Sequence, residues 1–425
     1  MKFTNAQDVI SYLYSLPNLH AKNDLSYIKT VLKELGNPQN KVKTIHITGT
    51  NGKGSTSYYL SNLFKKAGQR TGLFVSPYIY EFNERIQLDN QNISDKDLVQ
   101  VANLVEKAIK KIKEQDPEFS LVTFEYEVAM AFVYFSLKNC DYAVIEVGIG
   151  AEHDKTNVIV PEVSVITTIG LDHEKIIGPT IEDIAQEKSG IIKQNRPLVL
   201  GNIPKQVLPI VEAKAHKLHS PIYLLGRDFT VESDSKIKCQ INKKTYVFDL
   251  RPKVESYDIA VSLQAFLLLH LDLSTEKIQE AIDSTRIPGR YHLLSRAPMV
   301  ILDGAHNIQA MQNLLEFVHA QKKKLNGKLR VLITMMKDKD IEEVFSLFNQ
   351  DDEIVLTTIP YPRAAKLADF PKNIRSNYPY QVNWQEAFNE LQNKSQNNDI
   401  LLVTGSFYLV GAVLEMESID ASPRN

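Results

Sequence analysis

The stretch Gly49-Thr50-Asn51-Gly52-Lys53-Gly54-Ser55 constrains this chain more than any other. It joins an apolar run, KTIHIT, to a segment with Tyr58, Leu60, Leu63, Phe64 and Ala67 at helical spacing. A buried strand, a glycine-rich turn and a helix in that order open an α/β domain. They also set a helix N-terminus at the end of a strand, where glycines let backbone N–H groups wrap a phosphate and Lys53 can neutralise its charge. With Thr56 continuing the first helical turn, residues 49–56 read as a nucleoside-triphosphate cradle. The usual form, G-x-x-x-x-G-K-[ST], is longer, since here only Thr50 and Asn51 separate the first glycine from Gly52-Lys53. The competing reading is a glycine-rich turn with an exposed lysine.

Any anion must be held locally by such a device, because Lys plus Arg total 49 against 51 Asp plus Glu. A net charge of -2 gives no global pull toward nucleic acid or an anionic membrane. The 425 residues predict two or three domains, at roughly 100–200 residues each. A hydrophobic fraction of 43% allows each to bury a core. Cys140 and Cys239 stand far apart in no metal-type spacing, which argues against a disulfide scaffold or a cysteine zinc site and fits a reducing compartment. The opening MKFTNAQDVISYLYSLPNLH lacks a basic leader followed by an apolar run. The longest apolar stretch, residues 128–137, is about half of the ~20 residues a bilayer helix needs. A cytoplasmic protein without a membrane partner is expected.

Apolar strands at residues 71–75, 142–147, 163–169 and 198–200 alternate with helical patterns, implying a mainly parallel sheet covered on both faces. Between residues 223 and 250 the runs KIKCQI and KTYVFDL alternate, which indicates a small antiparallel ribbon added to that domain. Pro288-Gly289 then separates a helical pattern from a fresh strand, MVILDG. Strands at 299–302, 329–334, 353–357 and 399–403 follow, with helices near 308–324, 341–349 and 384–393. The expected fold is α/β with an N-terminal nucleotide-binding domain over 1–287, a linker over 288–297 and a smaller C-terminal Rossmann-like domain over 298–425.

Four further segments carry chemistry. In VIEVGIGAEHDKTN, Glu146 interrupts an apolar strand, where a carboxylate is costly unless a cation or hydrogen bonds satisfy it, so a metal ligand is the economical reading. The Gly148-Ile149-Gly150 beside it has His153 where a dinucleotide fingerprint needs its third glycine. His173, after the strand VSVITTI, lies at a strand's carboxyl end, where open α/β sheets assemble sites; it is either a metal ligand or a hydrogen-bonded structural histidine. Lys188 shares helical offsets with Ile181, Ile184 and Ala185, so it snorkels, pairs with a carboxylate, or is held neutral or modified. Arg290 and the run Asp303-Gly304-Ala305-His306-Asn307 offer a cation and a carboxylate, or alternatively a turn with Asn307 as a helix cap.

Taken in order, HITGTNGKGST, SPYIYEFNERI, EVGIGAEHDKTN, GLDHEKIIGPTIEDIAQEKSGI, PGRY and LDGAHN resemble the folylpolyglutamate synthase and dihydrofolate synthase family of Mur-ligase-like ATP-dependent amide ligases. The resemblance implies a two-domain Mur-ligase-like fold that binds ATP through residues 49–56, Arg290, Asp303 and His306. It implies two Mg²⁺ ions held by Ser55, Ser76, Glu146 and His173, one of them through a carbamylated Lys188. Lys53, Glu146, His173 and Lys188 would then be the catalytic set, and Phe82, Asn83, Glu84, Arg85 and Asp154 would face the substrate. Tyr78 departs from the family's usual SPH, AEHDKTN departs from GRxDATN at Glu152 and Lys155, and VESYDIAV departs from HQxxNAxxA at Val254, Glu255 and Asp258. The last change touches the asparagine that usually contacts adenine.

The reaction so implied is ATP-driven amide formation on a monomer that takes folate or dihydropteroate, L-glutamate and ATP, with closure of the two domains aligning the reactants. The alternatives are a peptidoglycan Mur ligase acting on a UDP-sugar, a P-loop ATPase switch whose output is a partner, and a nucleotide-stabilised scaffold.

Overall fold

The computed structural model describes residues 2–17, 19–20 and 24–420. Its contacts divide the chain into two compact units, Met1–Tyr78 with Phe82–Arg286, and Ile79–Glu81 with Ile287–Asn425.

The first unit opens with α1 (Ala6–Ser15) and α2 (Ser26–Glu34), then alternates β1 (Lys43–Thr48), α3 (Lys53–Lys66) and β2 (Thr71–Phe74). A short antiparallel excursion, β3 (Ile86–Leu88) and β4 (Gln91–Asn92), precedes α4 (Asp95–Lys113) and α5 (Thr123–Leu137). There follow β5 (Tyr142–Glu146), β6 (Val163–Thr168), α6 (Glu174–Ile177), α7 (Ile181–Ser189), β7 (Leu198–Asn202), α8 (Leu208–Lys217) and β8 (Ile222–Leu224). The eight strands form one sheet in the order β4-β3-β2-β5-β1-β6-β7-β8. It is parallel from β2 to β8 and antiparallel at β3 and β4.

The expected ribbon is present as β9 (Thr230–Ser233), β10 (Ile237–Ile241) and β11 (Lys244–Phe248), an antiparallel three-stranded sheet. Along β10 buried and exposed residues alternate, as one packed face requires. Helices α9 (Lys253–Leu267) and α10 (Thr275–Ser284) complete the unit.

Helix α3 packs against both the sheet and α9, which lies beside it on the same sheet, so its apolar surface is wider than one stripe. Tyr59, rather than the expected Tyr58, is the fully buried tyrosine. Phe64 stacks on Tyr142 at 4.6 Å and meets Phe266 edge-on at 5.6 Å, tying helix, sheet and α9 together. The long apolar run 128–137 belongs to α5, where every residue from 125 to 135 is buried, as a helix apolar all round must be. No described helix is long and apolar enough to cross a membrane.

In the second unit β12 (His292–Arg296), inside the stretch expected as linker, pairs antiparallel with β13 (Met299–Leu302). The rest alternates α11 (Ile308–Leu325), β14 (Leu329–Ile333), α12 (Ile341–Phe345), β15 (Glu353–Thr357), α13 (Lys372–Asn377), β16 (Tyr380–Gln381), α14 (Trp384–Lys394), β17 (Ile400–Thr404) and α15 (Phe407–Asp420). Its sheet runs β12-β13-β17-β14-β15-β16. All pairs but the first are parallel, with apolar clusters on both faces.

Candidate active site

The carboxyl ends of β2, β5, β1 and β6 lie side by side, and each leads into one of the segments singled out above. Loops after adjacent parallel strands converge there, as in other open α/β sheets.

The glycine-rich loop leaves β1 and is braced by the end of β6. Thr50 N donates to Thr168 O at 3.0 Å, Asn51 N donates to Thr168 Oγ1 at 2.9 Å, and Thr167 Oγ1 donates to Asn51 O at 2.6 Å. Gly52 takes a left-handed φ of 84° at the N-cap of α3, and a Cβ there would fall 2.3 Å from Asp258 Oδ1. Asp258, on α9, thus lies against the loop. Lys53 Nζ donates to Gly49 O at 3.0 Å, and Ser55 and Thr56 are buried in the first turn. Thr56 Oγ1 is buried without a hydrogen-bond partner. The geometry is that of a phosphate loop: a left-handed glycine, a helix N-terminus and a lysine folded back over the carbonyls.

Glu146 closes β5 and is 4% exposed. Its Oε2 accepts from Ser76 N at 3.1 Å, and a Cβ on Gly54 would meet both of its oxygens at 3.7 Å. The carboxylate therefore faces the N-terminal turn of α3, with the loop after β2 on its other side. One buried carboxylate beside a phosphate loop, with the Ser55 and Ser76 hydroxyls on neighbouring segments, suits a hard cation that takes its remaining oxygens from phosphate and water. Among the described residues no three His, Cys, Asp or Glu side chains are grouped to hold a metal by themselves. His173 is the left-handed N-cap of α6, half-buried, with Nε2 3.8 Å from Asp172 Oδ2.

Lys188 is 4% exposed on α7, as its apolar-face position predicts. Burial, helped by the nearby Lys53 charge and opposed by Asp172, Glu187 and Asp154, pushes its ammonium down to about 7. Its neighbour Glu187 gathers the loop after β5, accepting from Ala151 N and His153 N and pairing with His153 Nδ1 at 2.8 Å.

Asp154 is buried and already engaged. It accepts from Gly148 N, Ile149 N and Thr156 N at 3.0, 3.1 and 2.9 Å, and from the Thr156 hydroxyl. Burial nevertheless holds its carboxyl above the ordinary range. Its immediate work is to shape the loop between Gly148 and Thr156. Lys155, where the family usually has alanine, is buried as well. Its Nζ donates to Asp24 O at 2.7 Å and pairs with Glu125 at 3.2 Å, and Glu125 in turn meets His20 Nε2 at 2.8 Å.

In the SPYIYEFNERI loop, Phe82, Asn83 and Glu84 are buried, and Asn83 Nδ2 donates to Ile93 O and Asp95 Oδ1. Arg85 lies over the rings of Tyr78 and Phe82 at 5.2 and 5.7 Å.

In the second unit Asp303 ends β13 and accepts from Tyr291 N and Ala305 N, both at 2.8 Å. Burial raises its carboxyl while Arg290 acts in the opposite direction. Arg290 lies over the Phe407 ring at 4.4 Å, and the His306 ring meets Phe407 edge-on at 5.7 Å while Nδ1 bonds Gly304 O. Asn307 caps α11 by accepting from Ala310 N at 2.9 Å. The DGAHN run is thus a cap and turn that also clusters Arg290, Asp303 and His306.

Sequence reasoning missed several of these residues. Thr167 and Thr168 brace the phosphate loop, Glu187 clamps the loop after β5, and Glu125 pairs with Lys155. Of these, Glu125, which with Glu127 puts a carboxylate into a largely apolar helix, left a signal of the kind that marked Glu146.

Comparison with known proteins places these features. The Mur ligase middle domain family matches residues 47–265, and the Mur ligase glutamate ligase domain family matches residues 289–407. A folylpolyglutamate synthase of Lacticaseibacillus casei is 33% identical, over 96% of this chain and 98% of that protein. A dihydrofolate synthase/folylpolyglutamate synthase of Bacillus subtilis (strain 168) is 29% identical over 97% of this chain and 99% of its own length. Among solved structures, the apo form of L. casei FPGS superposes with a TM-score of 0.86 at 30% identity, covering 98% of this chain and 100% of that one. E. coli FolC in complex with DHPP and ADP superposes with a TM-score of 0.88 at 26% identity, covering 99% of each chain. With both Mur ligase domains, the matching fold and near full-length likeness to such enzymes, the chain belongs to the folylpolyglutamate synthase/dihydrofolate synthase family of ATP-dependent ligases.

Proposed function

We propose that this protein joins L-glutamate to the free carboxylate of a folate-type substrate, either dihydropteroate, a reduced folate or both, in a reaction driven by ATP. The carboxylate oxygen attacks the γ-phosphorus, the bond to the β-phosphate oxygen breaks, and ADP leaves an acyl phosphate. The glutamate amine then adds to the acyl carbon, phosphate departs, and the amine proton is released. A carboxylate is a poor electrophile, and phosphorylation supplies its leaving group without any protein nucleophile.

The chain's own residues position and neutralise. The loop N–H groups and Lys53 hold the phosphates, and Arg290, Asp303 and His306 contact the nucleotide. Ser55, Ser76, Glu146 and His173 would hold Mg²⁺, which when bound offsets charge on the transferring phosphoryl group. Lys188 fits a carbamate: an amine pushed down to about 7 is partly unprotonated at neutral pH. Adding CO₂ forms an N–C bond, releases a proton, and turns a buried cation beside Lys53 into an oxygen ligand. Asp258 stands where the family's asparagine meets adenine, and we assign it to the nucleotide pocket. The protein acts as a cytoplasmic monomer on small molecules, with neither nucleic acid nor membrane as partner.

The observation that carries this reading is the buried Glu146 carboxylate facing the first turn of the phosphate-loop helix. Product mass spectrometry with dihydropteroate and tetrahydrofolate offered separately, each with ATP and L-glutamate, tests it. A product one glutamyl residue heavier is expected from at least one of them. No extension of either overturns it.

A further inference from the structure

Arg85 is held in a way that leaves one edge of its guanidinium prepared for a ligand. It stands beside the loop that leaves β2: its carbonyl accepts from Val75 N at 3.1 Å, and the next residue, Ser76, donates to Glu146. The Tyr78 and Phe82 rings flank the guanidinium. Its Nε lies 3.4 Å from Glu127 Oε1, on the fully buried side of α5. The side chain is 13% exposed, its buried Nε makes no hydrogen bond, so the approach to Glu127 is one of charge alone, and among the described residues its two Nη groups donate none to protein. A guanidinium stacked on aromatic faces beside a buried carboxylate presents its outer edge as a rigid fork, the geometry that takes a carboxylate through paired N–H bonds.

The rings are themselves fixed. The Tyr14 hydroxyl on α1 bonds the Tyr78 hydroxyl at 2.6 Å, and the Tyr14 ring stands edge-on to Phe82 at 6.4 Å. Tyr78 also meets Phe82 at 6.2 Å. Tyr78 is the residue that departs from the family's usual histidine, so this bond belongs to the present chain. Tyr14 contributes nothing to the core, being 54% exposed, which leaves the hydrogen bond and the edge contact as its structural role.

A pteroate carries one carboxylate, the one that reacts. A substrate already bearing a glutamyl group carries a second that stays free, and it needs a cation near the reacting one. We infer that Arg85 receives this non-reacting carboxylate, and that the Tyr14–Tyr78 pair is the positioning element that keeps Arg85 aimed at it. The inference rests on the ligase reading above and adds a source of preference for glutamylated over unglutamylated pteroates.

The test compares tetrahydropteroylglutamate with its α-carboxamide on the full-length wild type, Tyr14→Phe and Arg85→Lys. The wild type should show a KM about tenfold higher for the amide with kcat little changed. Tyr14→Phe should raise KM for the acid about fivefold, the loss of one hydrogen bond, while leaving kcat and the KM values for ATP and for the amide where they were. Arg85→Lys keeps a counter-charge for Glu127 and should distinguish acid from amide far less than the wild type does. An unchanged thermal melt of Tyr14→Phe shows that folding is not the cause. An amide penalty that is absent in the wild type, or equal in wild type and Tyr14→Phe, overturns the inference while leaving the ligase reading intact. A wild type that extends no pteroate or pteroylglutamate at all removes both.

Discussion

Lys53 and Glu146 should each be indispensable for a different reason. Lys53→Ala removes the cation that meets the phosphates, and Glu146→Ala removes the buried carboxylate facing the first turn of α3. Each is expected to abolish ligation with an unchanged circular dichroism spectrum, and full ligation by either variant would take that residue out of the mechanism. Gly52→Ala would force a Cβ into a left-handed backbone and to within 2.3 Å of Asp258 Oδ1. Its KM for ATP should rise more than about tenfold, equivalent to roughly 1.4 kcal/mol; a KM like the wild type's would mean that the loop geometry is not what binds nucleotide. Lys188→Ala should be inactive and stay so on adding bicarbonate, and full ligation by the variant without any addition would take Lys188 out of the mechanism. At this scale the sequence was informative where a residue violated its surroundings. Glu146 in an apolar strand and Lys188 on an apolar helix face were conspicuous for that reason. The saturation of Asp154 by loop N–H groups and the pairing of Lys155 with Glu125 were not legible, because they depend on where two distant loops meet.

Elements with their own hydrophobic period are legible in the amino-acid sequence: β1, α3, β5, β6, the β9–β11 ribbon and the alternation of the second unit all follow from local pattern. The strands that pattern does not reveal, β3, β4, β8, β12 and β16, lie at or beside sheet edges. Pairing with a neighbour defines them, and no apolar run of their own announces them. The choice between Tyr58 and Tyr59 is equally non-local, since only the packing of α9 on α3 decides it. Within β1, His46 is fully buried. Thr156 gives its hydroxyl proton to Asp154, so His46 Nε2 donates to Thr156 Oγ1 at 2.8 Å and Nδ1 is left bare without a partner. Burial, assisted by the charge of Lys193, drives its pKa from 6.5 down to about 3. Below pH 6.5 the unfolded chain therefore takes up a proton that the folded chain refuses. Stability is fully present above that pH and should fall by up to about 1.4 kcal/mol per unit as pH drops toward 3. Thermal melts from pH 7.5 to 5 should show this decline in the wild type and a shallower one in His46→Asn, which keeps a donor for Thr156 but does not titrate. Parallel declines would show that His46 is not the group responsible.

The whole molecule contains two units, each with its own sheet and apolar clusters, and its single tryptophan, Trp384, lies in the second. Phe388→Ala removes a fully buried ring from that unit and should cost about 3–5 kcal/mol in the transition read by Trp384 fluorescence. Phe266→Ala, in the α3–α9 packing of the first unit, should lower the transition read by circular dichroism by a similar amount. If both variants shifted both probes equally, the chain would unfold as one cooperative body instead. The division into two alternating α/β units was readable from the sequence, because a Pro-Gly pair interrupts two long series of strands and helices. What no local pattern supplied was the membership of Ile79–Glu81, which leave the first unit's loop and group with the second. The central chemical claim is that a substrate carboxylate becomes an acyl phosphate, and oxygen labelling tests it most directly. With a pteroate or folate whose reacting carboxylate carries ¹⁸O, together with unlabelled ATP and L-glutamate, the phosphate released should contain one ¹⁸O atom per amide formed. Amide formation that releases unlabelled phosphate would contradict the account.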